Sequence, residues 1–588
     1  MRHLAIIGIV LLSFASPALG ATIRVSDKCT IENAISAANT DSGQGGCPPG
    51  SGPDTIVLPI LRDEMGKIKN FLISQGQEIL GDVSFVGQGQ DNTIIDGQRT
   101  YFIKVVRGSV SLSGLTIMGF GETGTAPLKV NEGSNLYLYD VTIRDNQGTT
   151  GAIATDGYVS VSASTIKYNI NTRNTIYVTP TGHLLLHYSS VVNNTTTGGG
   201  GTILCLGTMQ ITRSTISTNM PRIDGVISTT AAFETSSGSV QILSSTIAFN
   251  KATESGAGGI YSGGTVTMRN SILANNTNSN GEVSNCAGTL NSGGYNILHN
   301  GQGCAEPNNG DKYEDPLLDQ KLRALGGTTL MHKPRPNSPA INNGAPDIFA
   351  TEGSCPRFDQ RHLRRLGPCD IGAVEVGAAL VVFNPTRPGP GDEEMQKRLE
   401  EELAFETVRD TLADTPATAG KNLVLISESV RSTVAGQRFR DVPVPVLVIA
   451  AQTFAEMSMT GANPNPDNGD FGVSLNRTSV WITKKRRMTA DLIDTVKTTK
   501  NEAPYAFGRI TLEQEKKEGV KCLARANQSS TRCMIFRIGK GTLLVNKMRA
   551  PARRVGFFAV GETFTDLTDN GKRLFDAAVL WAAKGESE

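Results

Sequence analysis

Between residues 110 and 276 the chain repeats one phrase, an aliphatic pair, a short polar step and then Thr-Ile-x-x-Asn or a close variant. Anchored on the isoleucine position, Ile117, Ile143, Ile166, Val191, Ile216, Ile247 and Ile272 stand 26, 23, 25, 25, 31 and 25 residues apart. A unit this short cannot enclose its own apolar face, so neighbouring units must stack on one another.

The residues around each anchor give the kind of stack. Seven and five positions before it lie Val110 and Leu112, Leu136 and Leu138, Val159 and Val161, Leu184 and Leu186, Met209 and Ile211, and Val240 and Ile242. Alternating apolar residues predict strands. Two positions before it come Ser164, Ser189, Ser214 and Ser245; three after it come Asn146, Asn169, Asn194, Asn219, Asn250 and Asn275. At the ~4.8 Å spacing of stacked strands such side chains bond along a ladder, and asparagine also tolerates the left-handed backbone of a tight corner. The seventh copy slips, with Val266 and Met268 where the register expects Thr265 and Thr267, which predicts a bulge or a misaligned coil. The 31-residue unit must extrude about six extra residues, predicted within Met220 to Thr230.

This pattern resembles the right-handed parallel β-helix of pectin-lyase-like proteins, with about 25 residues per coil. The segment from Cys29 to Asn39 is similar to the amphipathic opening of a family of bacterial secreted β-helix proteins. Leu325-Gly-Gly-Thr, Asn337-Ser-Pro-Ala-Ile-Asn-Asn-Gly344, Asp359-Gln-Arg and Cys369-Asp-Ile-Gly-Ala-Val-Glu375 resemble the end of a choice-of-anchor Q domain. Together these motifs cover about residues 22 to 376. One departure is that the usual Arg-Gly reads Gln360-Arg361-His362, so a different loop shape is expected there.

The 588 residues exceed one ordinary core, and we expect a leader at 1–20, a β-helix at 21–376 and an α/β domain at 377–588. Met1-Arg2-His3, the apolar run Leu4 to Phe14 and the small-residue exit Ser16 to Ala21 have the form of a secretory signal peptide, with cleavage near Gly20 or Ala21. The apolar run is short for a membrane span, and a secreted or cell-surface protein is expected. A formal charge of +1 with 64 glycines describes a nearly neutral, turn-rich protein, which excludes nucleic acid as the expected partner. The runs Arg361 to Arg365 and Lys484 to Arg487 read as local solvated faces.

Nine cysteines in an exported chain invite pairing. Sequence neighbours suggest Cys29 with Cys47, Cys286 with Cys304, Cys355 with Cys369 and Cys522 with Cys533, each stabilising by roughly 3 kcal/mol. Cys205 is left over inside an apolar strand and reads as a buried inert thiol rather than a nucleophile. No Cys-x-x-Cys occurs and there are six histidines, so zinc is disfavoured and no metal site or cofactor is expected.

After Glu375 strands alternate with helices. Strands are predicted at 378–383, 423–426, 442–449, 534–538 and 542–545, with helices at 392–403 and 569–583, which argues for a parallel α/β sheet. Ile426-Ser-Glu-Ser-Val430, Phe439 to Val446 and Arg554-Val-Gly-Phe-Phe558 resemble a flavodoxin-like, glutamine-amidotransferase-like domain. Amidotransfer needs a cysteine nucleophile with a nearby histidine, yet His362 is the last histidine, so the domain is expected to be non-catalytic. Asn384 to Gly391 and Ser427, Ser429 and Ser432 lie where open α/β sheets bind ligands, and a small-ligand crevice there is the alternative to a structural or adhesive role.

For the β-helix, polysaccharide lyases and hydrolases place carboxylates, with calcium or a basic residue, on one lateral face. The candidates are Asp140, Arg144, Asp145, Asp156, Lys167 and Arg173, of which Arg144 and Lys167 fall at the same point of adjacent coils; a solvated ladder edge would read the same way. No Gly-x-Ser-x-Gly, His-Glu-x-x-His or Walker loop is present. Six of eleven tyrosines fall between 137 and 188, and Tyr137, Tyr139, Tyr158 and Tyr168 are candidate ligand-binding residues, although tyrosine also simply favours strands. The favoured expectation is binding without turnover: adhesion, or carbohydrate binding to a polysaccharide or cell-surface glycan, or to another surface protein. A polysaccharide lyase or glycoside hydrolase, with calcium possible only there, and a structural surface protein are the alternatives.

Overall fold

The computed structural model describes residues 20–98, 102–121, 126–149, 151–223, 225–229, 238–254, 256–301, 304–346, 355–363, 365, 369–384, 386–410, 418–419, 421–461, 471–484, 486–510, 515 and 519–584. Its first part is a parallel β-helix and its second a separate α/β sheet domain. One long face stacks Thr22–Arg24, Asp54–Val57, Val83–Val86, Ser109–Met118, Asn135–Arg144, Tyr158–Ser162, His183–His187, Thr208–Thr212, Ser239–Leu243 and Thr265–Arg269 in parallel. A nine-stranded sheet forms another face. The helix Ile31–Thr40 closes the first coil; Thr30 caps it by accepting the Asn33 N–H, and Ile31, Ala34, Ile35 and Ala37 face inward.

The aliphatic pairs of the repeat point inward as expected, and each anchor lies directly over the next from Ile117 through Ile143, Ile166, Val191 and Ile216 to Ile247. The seventh anchor is Leu273, not Ile272: Leu273 pairs with Ile247, and Val266 and Met268 pair with Val240 and Ile242. There is no slip in that coil. The rung of that coil is accordingly Asn276, one residue beyond the expected Asn275, and it bonds onward in the same way to Asn285 Oδ1.

The ladder asparagines do not take the left-handed corner. That conformation belongs to the residue before each of them, Asp145, Tyr168, Asn193, Thr218, Phe249 and Asn275, with φ between 55° and 57°. The asparagines instead satisfy the corner's backbone. Asn194 Nδ2 donates to the Ile166 and Val192 carbonyls and to Asn219 Oδ1, while its Oδ1 accepts from the backbone and side-chain nitrogens of Asn169. The serine rungs act likewise, each hydroxyl accepting the backbone N–H of the preceding rung from Ser164 to Ser271.

The extra length of the 31-residue coil sits one corner later than expected. Met220 still bridges Thr195 in parallel; the extension leaves at Thr229 and returns at Gly238, whose N–H donates to the Thr229 carbonyl. Most of the loop therefore lies outside the described residues.

All four suggested cystines are present, and Cys205 remains a free buried thiol. It stacks on Val178 with its side chain in the core, and burial pushes its pKa up to about 12. It is inert as a nucleophile.

In the second part Phe405–Arg409, Gly377–Val382, Leu423–Ile426, Val446–Val448 and Arg554–Phe557 form five parallel strands in the order 2-1-3-4-5, the flavodoxin-like order. The sheet is mixed rather than parallel throughout, because Arg532–Ile538 and Val520–Arg525 continue it antiparallel. The stretch 542–545, expected as a strand, is instead part of a hairpin turn held by one Leu543–Arg549 bridge. Acidic Asp392, Glu393 and Glu394 open the helix Asp392–Glu402 where its dipole favours them.

Candidate binding face

Alternation on the long face leaves its odd positions outward. Tyr137 lies between Ser111 and Ser160 of the adjacent coils, Tyr139 between Ser113 and Ser162, and Tyr158 between Asn135 and His183. Tyr137 and Tyr139 are 43% and 48% exposed, an unusual outlay of aromatic area to leave in water. The Tyr158 ring packs 5.9 Å from that of Tyr137. Hydroxyls and amides surround the patch and are tied into rows: Ser111 Oγ donates to Ser84 Oγ at 2.9 Å and Asn135 Nδ2 to Ser109 Oγ at 3.0 Å. Aromatic plates beside fixed hydroxyl and amide rows can stack on the apolar face of a sugar ring and bond its hydroxyls.

Tyr168 is not part of this patch. It stands at the left-handed corner after the short strand Thr165–Lys167, with the Lys167 ammonium 5.8 Å from its ring centroid. Tyr188 is buried at another corner.

The charged candidates occupy several sides of the coil. Asp140, at φ 56° in the corner within Asn135–Arg144, accepts from Gln90 Nε2 at 2.6 Å, and Gln90 Oε1 takes the Thr142 hydroxyl. Arg144 and Lys167 are register partners, as the spacing predicted, and the Arg144 guanidinium is ion-paired with Asp145 at the next corner. Arg173 is exposed beyond that corner. Asp156 lies at the turn between Ile153–Thr155 and Tyr158–Ser162, away from the others along the coil. Among the described residues no group of three or more His, Cys, Asp or Glu is placed to hold a metal ion.

Residues that the sequence placed at the end of the β-helix region, without assigning them a contact or a role, form a strap. After its last coil the chain runs back along the outer side of the short strands. Thr329 and Thr328 hydroxyls donate to the Tyr188 and Ala163 carbonyls, Gln360 accepts from the Thr215 hydroxyl and donates to Ser189 O, and His332 Nε2 lies 2.6 Å from Ser217 Oγ. His362 stacks on Tyr188 at 3.9 Å, and Arg213 lies over the same ring and donates to its hydroxyl at 2.7 Å. The departure Gln360-Arg361-His362 is therefore the part of the strap that grips the coils. The Leu325-Gly-Gly-Thr and Asp359-Gln-Arg motifs and that departure marked the segment in the sequence, but not its partners on the coils.

Burial lowers the pKa of His332 from 6.5 to about 4 against weaker opposing effects from Asp319. Unfolded, this histidine takes a proton near pH 6.5; folded, only near 4. The unfolded state thus binds more protons in between, and the stability contribution is complete above pH 6.5 and is lost as pH falls towards 4, by about 3 kcal/mol over the window. Urea unfolding of the wild type and of His332→Gln at pH 7 and pH 4.5 is expected to show that slope in the wild type and a shallower one in the variant. Parallel slopes would refute the assignment.

In the α/β domain the crevice at the strand ends is occupied by its own side chains. Asp392, fully buried, takes the Ser427 hydroxyl on Oδ1 and, on Oδ2, the Ser429 hydroxyl at 2.6 Å and the Gly389 N–H at 2.6 Å; Asn384 N–H donates to Ser429 Oγ. Ser432 begins the following helix instead. Glu428 beside them is raised by burial, with Asp392 and Glu562 adding repulsion. Cys522 and Cys533 are joined across a hairpin, so neither is a nucleophile.

Fold and register define a parallel β-helix protein carrying an α/β domain. No family model matches the chain, and no curated protein matches it. Among solved structures it is similar to that of pectate lyase Pel9A, with 14% identity over 57% of this chain and 93% of that one, at a TM-score of 0.30; the likeness is one of fold alone.

Proposed function

We propose that this chain is an exported or cell-surface protein that binds a polysaccharide or cell-surface glycan along the tyrosine face without cleaving it. The observation that carries this reading is the side-by-side exposure of Tyr137 and Tyr139 with Tyr158 packed against Tyr137, amid rows of fixed hydroxyls. Four cystines and the leader-like first twenty residues support export. The lyase or hydrolase alternative needs carboxylates and a base to converge on one groove, whereas Arg144 is engaged by Asp145 and Asp156 lies at another turn.

The test is gel filtration of the protein mixed with fluorescent acidic and neutral polysaccharides. Binding shifts a glycan to larger size, and Tyr137→Ala with Tyr139→Ala is expected to weaken it at least tenfold, about 1.4 kcal/mol or more, as loss of two stacking plates implies. A shift to smaller size would establish cleavage and overturn the reading. Affinity indifferent to both tyrosines would remove this face from it.

A further inference from the structure

Asp54 is a buried carboxylate, 2% exposed, on the second strand of the long face. Its Oδ1 accepts the N–H of Ser51 at 2.9 Å and that of Ala21 at 2.9 Å. Its Oδ2 has no hydrogen-bond partner among the described residues, and no Lys or Arg among them pairs with it. A carboxylate taken out of water without a counter-charge is costly. Ala21 sits immediately before the first strand, Thr22–Arg24, and its carbonyl accepts the Thr55 N–H at 2.8 Å, so its nitrogen is fixed against Asp54 by the ladder itself. Ala18 and Gly20 place small residues third from last and last before Ala21, the pattern of a leader exit.

We infer that Gly20–Ala21 is the processing site of this chain and that the α-ammonium released there is the counter-ion of Asp54, locking the first coil only once the leader is gone. This rests on the export part of the reading above. Hydrolysis by an endopeptidase of exported chains breaks the Gly20–Ala21 C–N bond; the hydroxyl of water goes to the Gly20 carbonyl carbon and its hydrogen to the Ala21 nitrogen. The amine takes a further proton from solvent. An amide nitrogen offers Asp54 one donor and no charge, whereas the ammonium offers three donors and a full charge, and charge-assisted bonds are about twice as strong. The same carboxylate thus holds the uncleaved chain weakly and the mature chain tightly.

N-terminal sequencing of the exported protein is expected to begin at Ala21. A start at Met1 would sink export and this inference together, and a start elsewhere in the mature region would sink the inference alone. The ion pair is tested on chains beginning at Ala21 or at Met-Gly20-Ala21, each with and without Asp54→Asn. The substitution is expected to lower Tm by about 3 °C in the first and by less than half as much in the second. Equal losses would overturn the pairing while leaving export intact. Should either substituted chain not fold, labelling of the Ala21 amine decides: at least tenfold slower in the folded wild type than in urea supports the pair, and equal rates refute it.

Discussion

Asn194→Ala is expected to lower the free energy of unfolding by about 3–5 kcal/mol, several buried partners being stranded at about 1–3 kcal/mol each. The residue is fully buried in mid-ladder. Its loss strips the Asn169 backbone N–H of its acceptor, takes one of three acceptors from the Asn169 side-chain amide and leaves the Ile166 carbonyl without this donor. Water cannot replace them in a corner closed on both sides by further coils. Asn194→Asp is the sharper probe, because it keeps the shape and reverses the chemistry. An oxygen in place of Nδ2 would face the Ile166 and Val192 carbonyls at 3.0 and 3.1 Å and Asn219 Oδ1 at 3.0 Å. The aspartate is expected to be at least as damaging as alanine in urea titrations at pH 7. A loss below about 1 kcal/mol for both, the net worth of one ordinary hydrogen bond, would mean that the ladder is not what holds the corners.

The same ladder shows how far the repeat could be read. Periodicity placed six anchors correctly because each is an inward aliphatic residue in step with its neighbours, and five of them, from Ile143 to Ile247, also carry an asparagine three positions on. It failed at the seventh, where Ile272 and Leu273, and again Asn275 and Asn276, offer adjacent residues of the same type. Residue type alone cannot then fix the register; the inward pair Val266 and Met268 could have, since it demands Leu273 five positions after Met268. The tyrosine patch was legible because strand alternation decides which residues share a face. The strap was not. Gln360 contacts Ser189 across 171 positions and His332 contacts Ser217 across 115, and no local pattern encodes a partner that distant. The filled crevice of the second domain was hidden for a related reason: Ser427 and Ser429 were visible at a strand end, but their partner Asp392 looked like one more acid opening a helix.

Arg361→Met is expected to cost about 3–5 kcal/mol, the range for removing one partner of a buried ion pair, and to loosen the two parts of the molecule from each other. The run Arg361 to Arg365 is not the solvated face expected of it, because Arg361 and Arg365 are buried and ion-paired; the Arg361 guanidinium pairs with Asp359 through Nε at 2.8 Å and Nη2 at 2.7 Å. It also donates to the carbonyl of Glu375 and, at 2.7 Å, to that of Leu403, the residue capping the helix Asp392–Glu402. Lys333, which donates to the Glu400 carbonyl, and Arg323, paired with Glu402 at 2.5 Å, complete three cations at the carbonyl end of one helix, where the dipole favours them. Without Arg361, Asp359 keeps only backbone donors, from Arg361, Leu363 and Glu375. Adding Asp359→Asn should recover part of the loss by removing the stranded charge, and Arg361→Lys should not rescue, since an ammonium cannot reproduce the fork. Calorimetry of Arg361→Met is expected to split one unfolding transition into two as the β-helix and the α/β domain uncouple. A single unbroken transition, shifted by less than 1 kcal/mol, would show that the junction is held by apolar packing around Leu363 and Leu403 rather than by this arginine.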